Sequence, residues 1–526
     1  MREVIKTAVS MYGEFWGMGL YLILFLLAIL YLLTMEKNKE KQKLFLGQIF
    51  IFALIYLFPV TAYVIMKYCI GESVYWRMFW LLPVTALIAY MYTEMVFHTD
   101  RRLKKGVAVI FILGILAATG NWVYGSGNFT VSPNPYKINQ DVLVVCNAIE
   151  ADAQANAISQ KGVIVPNTLA TGIRQYDAGI SMPYGRNAIR GEKLSKVSQK
   201  IYDIMNAENL DAQALAFYAA KGGYNYLAYP TEESADAIIA AGYTRVADVG
   251  NYDIYRLDTD AVADTDWLIT EYGSTENQMM FYTMQDMDGH VIVVDGGWVQ
   301  NADTVRKVIA GLGNHVDAWI LTHPHEDHIG AFCEIYDSPG KIKIDAIYAV
   351  DMASPELCME NAPWDSVEMY QRFLSMNIPQ LEYVHSGDKL DVGNLKIDIL
   401  SAYEDKVDEL SNDLLNDGSM MFQVHGSSQT MLFCADVGKS MSEYLVETYG
   451  ETLKSDYIQM GHHGNGGLKA PFYTIVDPKE AFFDAPDWLF NDTTGKYTTP
   501  ENRALMESFG SSIVSFATAP NSILLK

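Results

Sequence analysis

The sequence predicts a multidomain chain: an α-helical membrane region of four spans, a small α/β domain, and a strand-rich C-terminal domain with a metal site at one sheet edge. Three observations carry this reading. Four long apolar runs crowd into the first 124 residues. Short apolar runs then alternate with amphipathic stretches as far as residue 262. Beyond that point the segment LTHPHEDHIG, residues 321–330, gathers His323, His325, Asp327 and His328 within six positions. At 526 residues the chain is also too long for one ordinary domain. The expected division is a membrane region at 1–124, a linker at 125–139, an α/β domain at 140–262 and a hydrolase-like domain at 263–526.

The membrane region rests on runs at 15–34, 44–66, 78–97 and 106–124. Each is near the roughly 20 residues that a helix needs to cross a bilayer. The first is free of charge, and the third is interrupted only by Glu94. Trp16, Tyr31, Trp80 and Trp122 fall near the run ends, where amphipathic rings favour the headgroup layer. Pro59 and Pro83 are tolerated in membrane helices. The first run is longer than a secretory h-region and lacks a small-residue cleavage site, so it reads as an uncleaved span. Lys37, Lys39, Lys41 and Lys43 follow the first run; Arg101, Arg102, Lys104 and Lys105 follow the third. Only Lys67 and Arg77 lie between the second and third. The positive-inside rule places the two basic loops in the cytoplasm. The expectation is therefore a multi-pass plasma-membrane protein, partnered by the lipid bilayer, with everything after about residue 125 extracytoplasmic.

Charge narrows the partners. Residues 125–526 hold 26 Lys/Arg against 56 Asp/Glu, a balance of −30. An exterior this acidic repels phosphate backbones, which makes nucleic acid a disfavoured partner. The five cysteines are odd in number and unpaired in spacing, so no disulfide framework or thiolate metal site is indicated.

SGNFTVSPNPYKINQ is rich in Gly, Ser, Asn and Pro and reads as a linker. In the α/β domain DVLVVC, GVIVP and YNYLAYP read as strands. GEKLSKVSQKIYDIMN, DAQALAFYAAK and TEESADAIIAAG read as helices, the last capped by Thr231. TRVADVGNYDIYRLD reads as a hairpin turning at Gly250–Asn251. Composition gives this domain no function. Further on, QMMFYTMQDMDGHVIVVDGG reads as a hairpin turning at Asp288–Gly289, followed by a helix over ADTVRKVIAGLG.

Imidazoles and carboxylates at H-x-H-x-D-H spacing suit zinc or a similar divalent ion, and alternate residues of a short loop can face two neighbouring metals. Three further segments place ligand-type residues just after strand-like runs: VIVVDGG with Asp295, MLFCADVG with Asp436, and YIQMGHHG with His462 and His463. Asp436 is a candidate bridge between two cations. Of the adjacent histidines, one is a candidate ligand and the other a proton donor. Asp295 is expected to support a ligand rather than bind metal itself. Cys434 is expected to be a core residue.

THPHEDHIG, with VVDGG upstream and CAD and HHG downstream, resembles the metallo-β-lactamase-fold hydrolases. NDGSMMF (416–422) and GHHG are similar to the branch found in ComEC-type competence proteins and phosphorylcholine esterases. The resemblance covers residues 265–526 and implies an αββα sandwich with a binuclear centre, holding two zinc ions or, alternatively, manganese. It implies that His323 and His325 hold one metal, that Asp327, His328 and His462 hold the other, and that Asp436 bridges them. One position departs from the pattern. Where most members carry another histidine after the strand matching residues 395–403, this chain has Glu404 and Asp405.

The expected activity is metal-dependent, phosphodiesterase-like hydrolysis of a cell-envelope ester by activated water, with Asp327 orienting the water and His463 protonating the leaving group. Two other readings compete. One is a competence-type DNA-processing nuclease. The other is a non-catalytic, metal-binding sensory module.

Overall fold

The computed structural model describes residues 2–17, 20–99, 101–119, 131–231, 234–258 and 260–526. Trp122, the end of the expected fourth span at 120–124 and the linker residues 125–130 lie outside these. The chain falls into two compact units, residues 1–132 and 133–526.

The first unit is helical, but the four expected spans are not what forms. Among the described residues one helix is long and apolar enough to cross a bilayer, Glu72–Phe97. A second, bent pair, Lys39–Leu57 with Pro59–Cys69, qualifies only if counted as one span despite a 68° bend. The physical reasons are local. The run at 15–34 is broken at Gly17, whose φ of +56° ends the helix Arg2–Trp16, leaving the 14-residue helix Tyr21–Thr34. Pro59 lacks the N–H that would continue the ladder from Lys39–Leu57. The helix Arg102–Thr119 begins with Arg102, Lys104 and Lys105, so its described apolar part is short. Within the unit, Tyr56 donates its hydroxyl hydrogen to Ala8 O at 2.7 Å, and Tyr75 donates to Tyr56 O at 2.9 Å.

Among its described residues the second unit contains three sheets. A five-stranded sheet has the order Ile180–Ser181, Lys161–Ile164, Tyr226–Pro230, Tyr252–Leu257, Tyr243–Val249. Helices Gln140–Ala155, Lys196–Met205 and Ala212–Gly222 accompany it. The expected strand DVLVVC is instead part of the helix Gln140–Ala155. Its β-branched run mimics a strand, yet Val142, Val145, Cys146, Ile149 and Ala153 are buried at helical spacing, and Asn139 caps the start by accepting from Asp141 N at 3.0 Å. The expected cap at Thr231 also shifts: the helix is Ala235–Ala240, preceded by Ser234.

Two seven-stranded mixed sheets complete the unit. One runs Leu381–Val384, Lys343–Val350, His315–Ile320, Val291–Asp295, Phe281–Gln285, Trp267–Glu271, Asn521–Leu525. The other runs Lys389–Val392, Leu395–Ser401, Met421–His425, Thr430–Phe433, Tyr457–Gln459, Glu480–Phe483, Ser512–Ser515. They share one hydrophobic core, with Tyr282 of one sheet edge-on to Phe433 of the other at 5.2 Å between ring centroids. Helices cover the outer faces; Trp319, for example, packs against Phe332 of the helix Glu326–Asp337 at 5.1 Å.

In each sheet four neighbouring strands are parallel: 381–384, 343–350, 315–320 and 291–295 in one, and 430–433, 457–459, 480–483 and 512–515 in the other. Their carboxyl ends deliver Asp295, the 321–330 loop, Asp436, His462–His463 and Asp484 to one side, the place where open α/β sheets form ligand sites.

Candidate metal centre

Strand geometry explains why these side chains converge. The chain leaves Val291–Asp295 with Asp295 at φ +51°, leaves Thr430–Phe433 through Ala435 at φ +46°, and leaves Tyr457–Gln459 with His462 and His463 at φ +54° and +56°. Left-handed backbone at non-glycine residues costs of order 1–3 kcal/mol each and persists where surrounding structure enforces it. Here that structure is visible. A Cβ at Gly467 would lie 2.4 Å from Gly461 O, so only glycine lets the two ends of the histidine loop approach. Gln459 accepts from Cys434 N at 2.9 Å and Ala435 N at 2.8 Å, and donates to Asp484 Oδ2 at 2.9 Å. It thereby ties the Asp436 loop to the strand end behind His463.

Six predicted residues come together. His323 Nε2 lies 2.9 Å from His325 Nδ1 and 3.9 Å from Asp436 Oδ2. His328 Nε2 lies 3.2 Å from Asp436 Oδ1. His463 Nε2 lies 3.3 Å from Asp327 Oδ2 and 3.6 Å from Asp436 Oδ2. Among the described residues of this site, two triads have ligand atoms within 4.8 Å of one another: His323, His328 and Asp436, and Asp327, His328 and His463. His462 belongs to neither triad but also reaches Asp436. Its Nε2 is 3.8 Å from Asp436 Oδ2, and its side chain is 39% exposed, whereas that of His463 is 4% exposed.

The rear nitrogens are held by hydrogen bonds that fix the tautomers. His328 Nδ1 meets Asp295 Oδ2 at 2.7 Å, and Asp295 also accepts from Thr322 N at 2.8 Å and Thr322 Oγ1 at 2.6 Å. His323 Nδ1 is 3.3 Å from the same Thr322 hydroxyl. His325 Nε2 meets Asp365 Oδ2 at 2.9 Å, and His463 Nδ1 meets Asp484 O at 3.1 Å. Each ring therefore turns its other nitrogen inward. Asp365 and Asp484 went unnoticed in the sequence. The only signal of Asp484 was its position after the apolar run AFF, and Asp365 had none.

The donor set fits divalent cations. His328 Nε2, Asp436 Oδ1 and His463 Nε2 are buried without a hydrogen-bond partner, yet both imidazole nitrogens face the Asp436 carboxylate, His328 at Oδ1 and His463 at Oδ2. Buried polar atoms are ordinarily satisfied, and converging orphans of this chemistry suit a metal. Burial, reinforced by His328, drives the His323 imidazole well below its ordinary pKa, which keeps its lone pair available. Burial opposes ionisation of Asp436, but His328 and His463 outweigh it and hold the carboxyl well below the usual carboxylate range.

Among the described residues no histidine from beyond the strand Leu395–Ser401 takes the position that the resemblance calls for beside His323 and His325. Glu404 faces away, accepting from Ser386 N at 3.1 Å, and Asp405 begins the helix Asp405–Leu410. His385 lies near Asp388 and His425 near Asp398. The NDGS turn does reach the centre's rim. Met420 N donates to Thr322 O at 2.8 Å, Gly438 N donates to Asp417 Oδ1 at 2.6 Å, and the Ser419 hydroxyl is buried and unpartnered.

Residues 282–343 match the family model described as the Metallo-beta-lactamase superfamily. Solved structures are similar to the chain only at low identity and low TM-score. The metallo-beta-lactamase fold protein YhfI from Bacillus subtilis is 14% identical with a TM-score of 0.31, over 49% of this chain and 99% of that one. CmlA, a diiron beta-hydroxylase from Streptomyces venezuelae, is 12% identical with a TM-score of 0.34, over 50% and 55%. A diphosphatase from the PhnP family is 13% identical with a TM-score of 0.27, over 42% and 88%. No curated protein matches the chain. The second unit thus carries a metallo-beta-lactamase superfamily domain with candidate divalent-metal clusters.

Proposed function

We propose that this chain is a membrane-anchored, metal-dependent hydrolase acting on a phosphodiester or related ester at the cell envelope. The observation that carries the reading is the convergence of His328 Nε2, Asp436 Oδ1 and His463 Nε2, all buried and unpartnered, beside the His323–His325 pair. His323, His325 and Asp436 would hold one cation, and Asp327, His328, His463 and Asp436 the other. Zinc is the ion that the imidazole-rich set suits best, with manganese the alternative. Bound divalent ions there supply Lewis acidity and lower the pKa of water toward neutrality.

The chain's own residues do the rest. Asp295, through Thr322 and His328, and Asp365, through His325, fix the rings so that each presents a lone pair inward. Asp436 puts a carboxylate oxygen within reach of both triads. His463 is too buried and too enclosed to serve a departing group. His462, at the solvent-facing rim, takes the proton-donor role, exchanging the division expected from sequence. No serine or cysteine nucleophile is needed; Cys434 is fully buried, and burial pushes its thiol pKa up.

Anchoring is supported by the helix Glu72–Phe97 and by the helix Tyr21–Thr34, which exposes Ile23, Leu26, Leu27, Leu30 and Leu33. The positive-inside rule puts the basic loops at 37–43 and 101–105 in the cytoplasm, so an extracytoplasmic hydrolase requires the helix Arg102–Thr119 to cross the bilayer as well.

The test is hydrolysis of phosphodiester, phosphomonoester and lactone panels by the full chain with its metal quantified. Phosphodiester turnover that disappears in the double variant His323→Ala, His325→Ala is expected. A tightly held ion with no turnover on any ester would overturn the reading in favour of a binding module, which the missing histidine after the strand Leu395–Ser401 favours. Salt-dependent DNA binding would instead favour the nuclease.

A further inference from the structure

A cavity of about 190 Å³ opens within the second unit, away from the histidine cluster. It lies between the helices Lys196–Met205 and Ala212–Gly222 and the last two strands of one seven-stranded sheet, Trp267–Glu271 and the edge strand Asn521–Leu525. Its polar wall is built rather than incidental. Thr270 and Ser522 pair across the strands with hydroxyls 2.9 Å apart, and Ser522 donates to Asp211 Oδ2 at 2.6 Å. The other oxygen of Asp211 accepts from Ala214 N at 3.0 Å, capping the helix, so the carboxylate is fixed in place.

Two phenols line the same space. The Tyr218 hydroxyl accepts from Gln285 Nε2, and the Tyr272 hydroxyl accepts from Thr283 Oγ1 at 3.3 Å. Both are used as acceptors, which leaves each O–H to give. Lys200 also lines the cavity, and no carboxylate forms an ion pair with it among the described residues. Ile204, Leu268 and Pro520 supply an apolar strip.

These groups select a ligand class. A simple organic anion would match Lys200 and the phenols but would lie against Asp203 and Asp211. A simple amine would match Asp211 but leave the ammonium of Lys200 opposed and two donors idle. We infer that the cavity binds a small zwitterion with an apolar body, in chemical class an α-amino acid, its carboxylate taken by Lys200 and the phenols and its ammonium by Asp211. Pockets of this kind are mostly apolar, with a few polar groups that fix orientation. Burial pushes the Lys200 pKa down and the Asp211 pKa up, so both charges are under-compensated until opposite charge arrives.

The test is calorimetric titration of the full chain in detergent micelles with L-leucine, alongside 4-methylpentanoate, which lacks the amine, and 3-methylbutan-1-amine, which lacks the carboxylate. Saturable binding of L-leucine is expected, with each half-ligand at least about ten-fold weaker. Lys200→Met and Tyr218→Phe should each weaken L-leucine about ten-fold. Asp211→Asn should do the same while keeping the helix cap, since asparagine caps as well as aspartate. Unchanged melting profiles would show that the variants remain folded. The proposal is overturned if no proteinogenic amino acid gives saturable heat, if 4-methylpentanoate binds as tightly as L-leucine, or if folded Lys200→Met and Tyr218→Phe bind like the unaltered chain. None of these readouts depends on ester hydrolysis, so the failure of one reading leaves the other standing.

Discussion

Asp365 reaches back forty residues to place its Oδ2 2.9 Å from Nε2 of His325. With that nitrogen committed to a carboxylate, Nδ1 is left facing Nε2 of His323 across 2.9 Å. A carboxylate behind a ligating imidazole fixes its orientation and raises its basicity, and removing one typically costs 10–100-fold in metal affinity or activity. Asp365→Asn should therefore weaken binding at the first site by about that factor. Competition with a chromophoric chelator measures this, and an unchanged affinity would show that Asp365 is incidental.

The two adjacent histidines should separate cleanly. His463→Ala, at the buried position 3.3 Å from Asp327, should lose metal and turnover together. His462→Ala should keep its metal content and lose about 10²-fold in kcat, the contribution usual for a general acid. Elemental analysis beside steady-state kinetics distinguishes them. The opposite pattern would restore the ligand role of His462.

Asp295 holds the rear of the cluster through Thr322 and His328. Asp295→Ala removes an acceptor shared by three donors, two of them buried side chains, and should cost about 1–3 kcal/mol of stability for each donor left unsatisfied. Chemical denaturation of the chain stripped of metal would read this directly. A loss of affinity with no loss of stability would instead mean that the carboxylate serves the metal alone.

Burial pushes the Glu480 carboxyl up to about 7. The folded state therefore holds this proton more tightly than the unfolded state, where the pKa is about 4.3. The resulting stability is fully present below about pH 4.3 and is lost as pH rises through 7. Glu480→Gln should melt like the unaltered chain near pH 4.5 and about 2 °C or more above it near pH 8. Thermal scans at the two pH values check the sign.

What the sequence revealed follows from how local each signal was. His323, His325, Asp327 and His328 lie within one loop, so their spacing alone betrayed a shared site. Asp436 and His463 were legible because each follows a buried strand, which puts it at a sheet edge. The supports were not: Asp365 and Asp484 become partners only through tertiary folding. The strand Leu395–Ser401 was recognised, yet nothing local showed that Glu404 turns toward Ser386. DVLVVC was misread because six residues cannot separate a period of two from one of 3.6, whereas the longer window of Gln140–Ala155 does. The apolar runs near the start were read by length, while their helices are set by Gly17 and Pro59, single residues that hydropathy averages away.

The neighbouring strands Trp267–Glu271 and Asn521–Leu525 have a different owner on each face. Ile269, Ile523 and Leu525 belong to the interior between the two large sheets, whereas Leu268 and Leu524 belong to the core of the five-stranded sheet and its helices. Excising the sandwich would strip cover from Leu268 and Leu524, at about 1.5–3 kcal/mol for each side chain returned to water. Recombination that separates the two folds must either repaint those positions with polar residues or yield a fragment prone to self-association. The two folds therefore share a wall that neither can lose without exposing apolar surface, although each part has a sheet of its own.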